Sequence, residues 1–369
     1  MSTTYITILQ KYLLSTFMLY LLQIMVDPEK VIRKAKDRIL PGFTAKSKWD
    51  HSFFFVQAAD TQLGMIDTWG DGSVGNKYPN ITWDREIELC QQTVDILIRM
   101  NPKPAFFIVC GDLVDAFPHE WPQIRASQEE DFFRVFSKLP PDIPLICVCG
   151  NHDVGEFLID KKSVVPLFYL HISNFLHTIL LLGNRPTKES IYRYKSIWGD
   201  DYFSFWSHGC LFIVLNSQFY EDCSLTQDLA QKQDAWLDEI LKEAKEAKHT
   251  FVFQHIPWFL KDPDEDKEYF NIEVGLRKKM LDKFYEAGVR KIFCGHYHRN
   301  TGGWYKDLEV IVTSAIGCQI GDDPHGMRLV KVHEDKVEHA YHGLDNFPVD
   351  IDLNTMENKS NKTKITKNT

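Results

Sequence analysis

The chain is short of positive charge. Its 369 residues carry 42 Lys and Arg against 51 Asp and Glu, a formal charge of −9. A protein that lives on nucleic-acid phosphates carries the opposite balance, which argues against a generic duplex binder. The eight cysteines include no C-x-x-C pair and no zinc-ribbon spacing, so no thiolate metal site is in view. Several of them lie inside apolar runs, as in Phe106-Phe107-Ile108-Val109-Cys110 and Leu145-Ile146-Cys147-Val148-Cys149. They read as reduced, buried strand thiols, which predicts a reducing compartment and a cytoplasmic location. Internal repeats and a clear linker are also missing. Extensive disorder is excluded by an aromatic content of 13%, and the length is ample for a core that needs no disulfide staples.

Two segments differ from the rest. Residues 5–26 are apolar, but they lack the basic n-region and small-residue cleavage site of a signal peptide, and Lys11 and Gln23 interrupt them. They read as non-native or as preceding an alternative start at Met25, with a targeting segment as the rival reading. Residues 156–183 form an apolar insertion with no charge between Val164 and Leu182. Its length would suit a membrane span, but it interrupts a soluble-looking domain, and its removal would join Gly155 to a short polar loop. It reads as a retained intron, against a genuine lid or membrane contact. Stable membrane association is expected only if these apolar segments are genuine. A domain is expected over 48–347, with 1–47 as an N-terminal extension. Residues 348–369 are expected to be a disordered polar tail.

Apolar, β-branched and aromatic runs predict strands at Ser52–Ala59, Ala105–Cys110, Pro144–Cys149, Tyr202–Trp206, Leu211–Leu215, Thr250–Gln254 and Lys291–Cys294. Later runs are Leu308–Thr313, Met327–His333 and Lys336–His342. Helical spacing covers Asp84–Met100, with Ile87, Cys90, Val94, Leu97 and Ile98 on one face. It also covers Gln227–Ala247, with Trp236, Ile240 and Ala244 aligned, and Glu273–Ala287, with Gly288 as a stop. The alternation implies α/β layers around a two-sheet core.

Chemistry-bearing residues fall at the ends of these strands, where ligand crevices form in α/β sheets. They are Ala-Asp60-Thr-Gln62, Gly-Asp112-Leu-Val-Asp115, Gly-Asn151-His152-Asp153, Gln-His255-Ile-Pro and Gly-His296-Tyr-His298. An Asp after a strand is commonly a turn former, and a lone strand-end His is commonly structural. Five such ends in one chain together offer two carboxylates, an amide and three imidazoles as candidate ligands. That set suits Mn, Fe or Zn better than Ca.

The order and spacing resemble the calcineurin-like metallophosphoesterase superfamily, with its D-x-H, GD-x-x-D, GNH-D/E, lone His and GH-x-H motifs. The segments Trp198–Trp206, Asn216–Tyr220, Ser314–Gln319 and Gly295–Asn300 resemble a serine/threonine-protein phosphatase branch of it. The resemblance implies a four-layer fold of two packed mixed β-sheets flanked by helices. It implies two divalent metal ions (Mn, Fe, Zn or Mg), with Asp60 and His298 on the first. Asp112 would be shared, and Asn151, His255 and His296 would hold the second. It further implies a phosphorylated protein substrate and in-line attack by a hydroxide bridging the metals. His152 would be the general acid and Asp115 its orienting carboxylate, with Asp153 a weaker orienter or a loop cap. Arg299 is a candidate phosphate contact.

Two positions depart from the pattern. Gln62 stands where most members have His, so the first site would bind more loosely or use water. Asp115 stands where purple acid phosphatases carry a metal-binding Tyr, which argues against ferric–tyrosinate chemistry. The same motifs fit a phosphodiesterase or nucleotide hydrolase, and a non-catalytic scaffold of this fold is the reading from another class.

Overall fold

A computed structural model describes residues 28–43, 46, 48–69, 80–156 and 185–353. The expectations for residues 5–26, for most of the insertion and for the tail from 354 onward lie outside these residues.

The described strands, in chain order, are β1 Phe53–Ala58, β2 Phe107–Cys110, β3 Leu145–Val148, β4 Gly155–Glu156, β5 Arg185–Pro186, β6 Phe203–Ser207 and β7 Cys210–Val214. They continue with β8 Thr250–Phe253, β9 Lys291–Cys294, β10 Thr301–Tyr305, β11 Leu308–Val312, β12 Gly326–Val332 and β13 Val337–Gly343. The helices are α1 Pro28–Val31, α2 Met65–Trp69, α3 Asp84–Arg99, α4 Pro122–Phe136, α5 Asn151–Val154, α6 Lys188–Trp198, α7 Gln218–Glu221, α8 Gln227–Glu243 and α9 Val274–Ala287.

Two mixed sheets form, as expected. Sheet one has the order β13-β12-β1-β2-β3. Its β1, β2 and β3 run parallel, with Val56 beside Phe107 and Ile108 beside Ile146, and β12 and β13 run antiparallel. Sheet two has the order β10-β11-β9-β8-β7-β6, parallel from β11 to β7 and antiparallel at both edges. A third, two-stranded ladder pairs Gly155 with Pro186 and Glu156 with Arg185. The chain therefore enters and leaves the insertion at adjacent points.

The strands read as unbroken apolar runs because both faces are buried. Phe53 and Phe55 of β1 face the second sheet, while Phe54, Val56 and Ala58 face the helices. Between the sheets the Phe55 ring stacks on Phe106 at 4.8 Å. It meets Phe212, Phe251, Phe253 and Phe293 edge-on at 5.8–5.9 Å. Removing such a ring costs about 3–5 kcal/mol. Helices α3, α4 and α6 cover the outer face of sheet one through Val94, Phe132 and Trp198. Helices α8 and α9 cover sheet two through Leu237, Leu241, Leu281 and Phe284. Helices on both outer faces complete the four layers.

Several details differ from the sequence expectation. Helix α3 buries Leu89 and Ile96 beside Cys90, Val94 and Leu97, and leaves Ile98 39% exposed. In α8 the buried positions are Gln233, Leu237 and Leu241, one residue on from Trp236 and Ile240. Helix α9, by contrast, ends as expected at Gly288, whose φ of 95° supplies the left-handed cap. The packed body is also wider than 48–347. Val31, Ile32, Ala35 and Leu40 are buried, and Ile32 bridges to Leu145. At the other end Ile351 is buried, and its N–H donates to the Asn101 carbonyl at 2.8 Å. Each is an apolar residue in a polar stretch, too isolated to make a periodic signal.

Candidate metal centre

The parallel strands β1, β2 and β3 of sheet one and β8 and β9 of sheet two end at the site. Asp60, Asp112 and Asn151 follow the first three, and His255 and His296 follow the last two. Several of the site residues reach the seam through an unusual backbone. Asp60, Gln62, Asp112, His296 and His298 all have positive φ, between 33° and 70°. Left-handed geometry costs a non-glycine residue about 1 kcal/mol or more, and such strain collects at functional sites. Glycines before the ligands allow the close approach. A Cβ on Gly111 would lie 2.4 Å from His255 Nδ1, and one on Gly150 would lie 2.2 Å from Asp112 Oδ1.

The donor atoms converge. Those of Asp112, His255 and His296 lie within 4.8 Å of one another, and so do those of Asp60, Asp112 and His298. Asp112 belongs to both groups, and all five residues are buried. His255 Nε2 lies 3.2 Å from Asp112 Oδ2, 3.0 Å from Asn151 Oδ1 and 3.1 Å from His296 Nδ1. His298 Nε2 lies 3.5 Å from Asp60 Oδ1. Main-chain carbonyls hold the other ring nitrogens. His255 Nδ1–H donates to Cys110 at 2.8 Å, His298 Nδ1–H donates to Cys318, and His296 Nε2–H donates to Tyr269 at 3.4 Å. That tautomer pattern turns a lone pair of each imidazole into the centre, the usual outer support of a ligating His.

Electrostatics agree with a set of donors suited to a cation. Burial and the neighbouring Asp112 push the Asp60 carboxyl well above its ordinary value. Burial opposes ionisation of Asp112 too, but His255 and His152 outweigh it and hold that carboxyl well below its ordinary value. His255 is depressed by burial and raised more strongly by Asp112, to about 9. Burial drives His298 down to about 4 and His296 well below its usual range. A cation displaces the proton from such a set. The donors therefore fit a metal pair. Gln62 fits as well, because its Oε1 is buried without a hydrogen-bond partner while its Nε2–H donates to Asp115 at 3.2 Å.

Beside the donors, the His152 N–H donates to Asp112 Oδ1 at 2.8 Å, and its ring stacks on Phe117 at 4.4 Å. His152 Nδ1 lies 2.5 Å from the main-chain carbonyl of Asp115 and 3.5 Å from its carboxylate. The peptide group is thus the nearer orienting partner. Asp153 is a loop cap, accepting from Gly150 N–H at 2.8 Å and Leu113 N–H at 3.2 Å. Arg299 is half-buried, stacked over Tyr297 at 4.8 Å. No contact joins it to the donor set.

Sequence reasoning missed Arg125 on α4. It is fully buried and donates to the carbonyls of Ala116 at 3.0 Å and His152 at 2.7 Å. It also pairs with Glu129 at 2.7 Å and Asp153 at 3.2 Å. It ties the loop after β2 to the loop after β3. Its spacing from Glu129 reads as an ordinary surface ion pair, so no sequence signal marks it.

The family profile for calcineurin-like phosphoesterases matches residues 55–300. The chain belongs to the calcineurin-like phosphoesterase family. Within it, the chain is 44% identical to the bovine serine/threonine-protein phosphatase CPPED1 over 320 residues, covering 85% of this chain and 92% of that protein. The human protein of that name gives 44% over 321 residues, with the same coverage. The Danio rerio one gives 40% over 327 residues, covering 87% and 95%. Among solved structures, a dimetal phosphatase from Danio rerio superposes with a TM-score of 0.50 at 14% identity, covering 80% of this chain and 97% of that one. A purple acid phosphatase from yellow lupin gives 0.51 at 13% identity, covering 83% and 54%. Both share the fold. The family's chemistry is binuclear-metal phosphoester hydrolysis, and the paired donor groups meeting at Asp112 suit it. No helix among the described residues is long and apolar enough to cross a membrane.

Proposed function

We propose that this phosphoesterase is a cytoplasmic phosphomonoesterase acting on phosphoserine and phosphothreonine in proteins. The observation that carries the reading is the pair of donor groups sharing Asp112, with His152 beside them. Similarity over most of the chain to the CPPED1 phosphatases supports the substrate class.

In this reading Asp60, Gln62 and His298 hold one divalent cation, Asn151, His255 and His296 hold the other, and Asp112 serves both. Two such cations supply Lewis acidity to the phosphoryl oxygens and lower the pKa of water. The chain's residues do the rest. His152 protonates the departing serine or threonine oxygen from Nε2, because Nδ1 is committed to the Asp115 carbonyl. Phe117 fixes the ring plane. Asp115 accepts from Gln62 Nε2–H and from the Thr68 hydroxyl at 3.1 Å, linking the first metal site to the His152 loop. Arg299, which follows His298 and stacks over Tyr297, is the candidate phosphate contact.

The test is phosphate release from a phosphoserine peptide with manganese and with chelator, in the wild type and Asp112→Asn. Metal-dependent release lost in the variant supports the reading. Turnover confined to phosphodiesters or nucleotides would replace the substrate class and keep the centre. Bound metal without turnover of any phosphoester would favour a scaffold.

A further inference from the structure

A second set of imidazole and carboxylate donors lies at the opposite edge of the sheets. Asp50 and His51 precede β1, and His208 sits in the turn between β6 and β7. The centre described above follows the far end of β1, about 20 Å away by the length of that strand. We propose that Asp50, His51 and His208 form a third divalent-cation site, chemically suited to zinc, that pins sheet one to sheet two.

Geometry carries the inference. One donor atom from each residue falls within 4.8 Å of the others. Asp50 Oδ1 lies 3.0 Å from His208 Nδ1 and 3.2 Å from His51 Nδ1. Donors bonded to a tetrahedral zinc ion at 2.0–2.2 Å stand about 3.3 Å apart, so these edges need little adjustment. Two imidazoles and one carboxylate make a borderline set that prefers zinc to magnesium or calcium. Three protein ligands leave a fourth position for water. The side chains of Asp50 and His51 are 54% and 64% exposed, so an ion has an open path.

The arrangement is also built. His208 holds a φ of 49°, and its ring stacks on Phe53 at 4.5 Å. The turn presses on the Trp49–Asp50 chain so closely that a Cβ on Gly209 would lie 2.2 Å from the Trp49 nitrogen. Asp50 is fixed further by the His51 N–H, which donates to Oδ1 at 2.7 Å. The three donors therefore come from two sheets held in fixed register. The competing account is a carboxylate hydrogen-bonded to two imidazoles, which needs no metal.

Zinc content after equilibrium dialysis of the full chain against micromolar zinc separates the two. The comparison uses the wild type, His208→Asn, His51→Ala and Asp112→Asn. Asn tolerates left-handed backbone, so His208→Asn keeps the turn, and unchanged phosphate release reports its folding. The expected result is one zinc equivalent fewer in His208→Asn, and affinity for that equivalent at least tenfold weaker in His51→Ala. The same equivalent stays in Asp112→Asn. Equal zinc content in the wild type and His208→Asn overturns the proposal, as does a difference seen only at millimolar zinc. Cobalt(II) gives an independent readout. A four-coordinate visible band lost in His208→Asn supports the site, and identical spectra overturn it. Failure of Asp112→Asn to lose any metal would count against the catalytic reading alone.

Discussion

Sheet one brings acids and amides to the metal centre, and sheet two brings imidazoles. The two halves are supported differently. Around sheet one's loops the support is ionic and made by side chains, with Arg125 joining Asp153, Glu129 and two carbonyls. Around sheet two's loops it is the main chain, with the carbonyls of Cys110, Tyr269 and Cys318 each holding one ring nitrogen. The division has a physical reason. Anionic donors crowd one another, and burial plus mutual repulsion already pushes the Asp60 carboxyl up. A fixed buried cation such as Arg125 offsets part of that field in their loops. Neutral imidazoles need only orientation, and a carbonyl supplies it.

The largest effect should come from breaking the one donor common to both groups. Asp112→Asn keeps the shape but removes the charge shared between the sites. We expect phosphate release to fall by about a thousandfold or more, the scale of several kcal/mol of lost Lewis-acid stabilisation. Metal analysis should show weakened occupancy.

Next comes the support of sheet one. Arg125→Leu leaves Asp153 in the interior without its cation, while Glu129 keeps Arg193 at 2.8 Å. Removing one partner of a buried ion pair costs about 3–5 kcal/mol, read as a drop in the urea midpoint. The side chains that brace the sheet-two loops are hydroxyls, with Ser217 accepting from the Ile256 N–H at 2.9 Å and Ser314 donating to the His298 carbonyl at 3.1 Å. A destabilisation under about 1 kcal/mol would show that the ionic support is dispensable and the contrast between the halves superficial.

A smaller effect concerns the seam itself. Glu309 of β11 pairs with Lys291 of β9 and, across the sheets, with His339 of β13 at 3.2 Å. Burial works against its ionisation, but His339 and Lys291 prevail and lower it to about 2 from 4.5. The folded value is depressed, so the contribution is fully present above pH 4.5 and fades as the pH falls toward 2. Glu309→Gln should flatten the stability loss across that window in thermal unfolding, with little change at pH 7 beyond the lost pairing.

Much of this contrast was legible in the chain. Each described ligand follows a strand that an apolar run announced, because strands buried on both faces need no polar alternation. Helix α4 was invisible for the opposite reason. Its buried face includes Arg125, Gln128 and Glu129, so no apolar stripe marks it. Strand β10 reads Thr-Gly-Gly-Trp-Tyr and looks like a loop, since its two glycines break any apolar run. The short helix α2 and the amphipathic α6 were also passed over. The orienting partner of His152 could not be read either, because a sequence names the Asp115 carboxylate but says nothing of its carbonyl.

That last point sets the smallest prediction. His152 Nδ1 is 2.5 Å from the Asp115 carbonyl and 3.5 Å from the carboxylate. Asp115→Asn leaves the carbonyl in place, and its one amide oxygen can still accept from Gln62 Nε2–H while the amide nitrogen faces the Thr68 hydroxyl, which can accept from it. Turnover should fall by about tenfold or less, whereas His152→Asn, which removes the proposed proton donor, should cost about 10²–10³-fold. Equal losses in the two variants would mean that the carboxylate, not the peptide group, sets the imidazole, and that sheet one relies on side chains even at its proton donor.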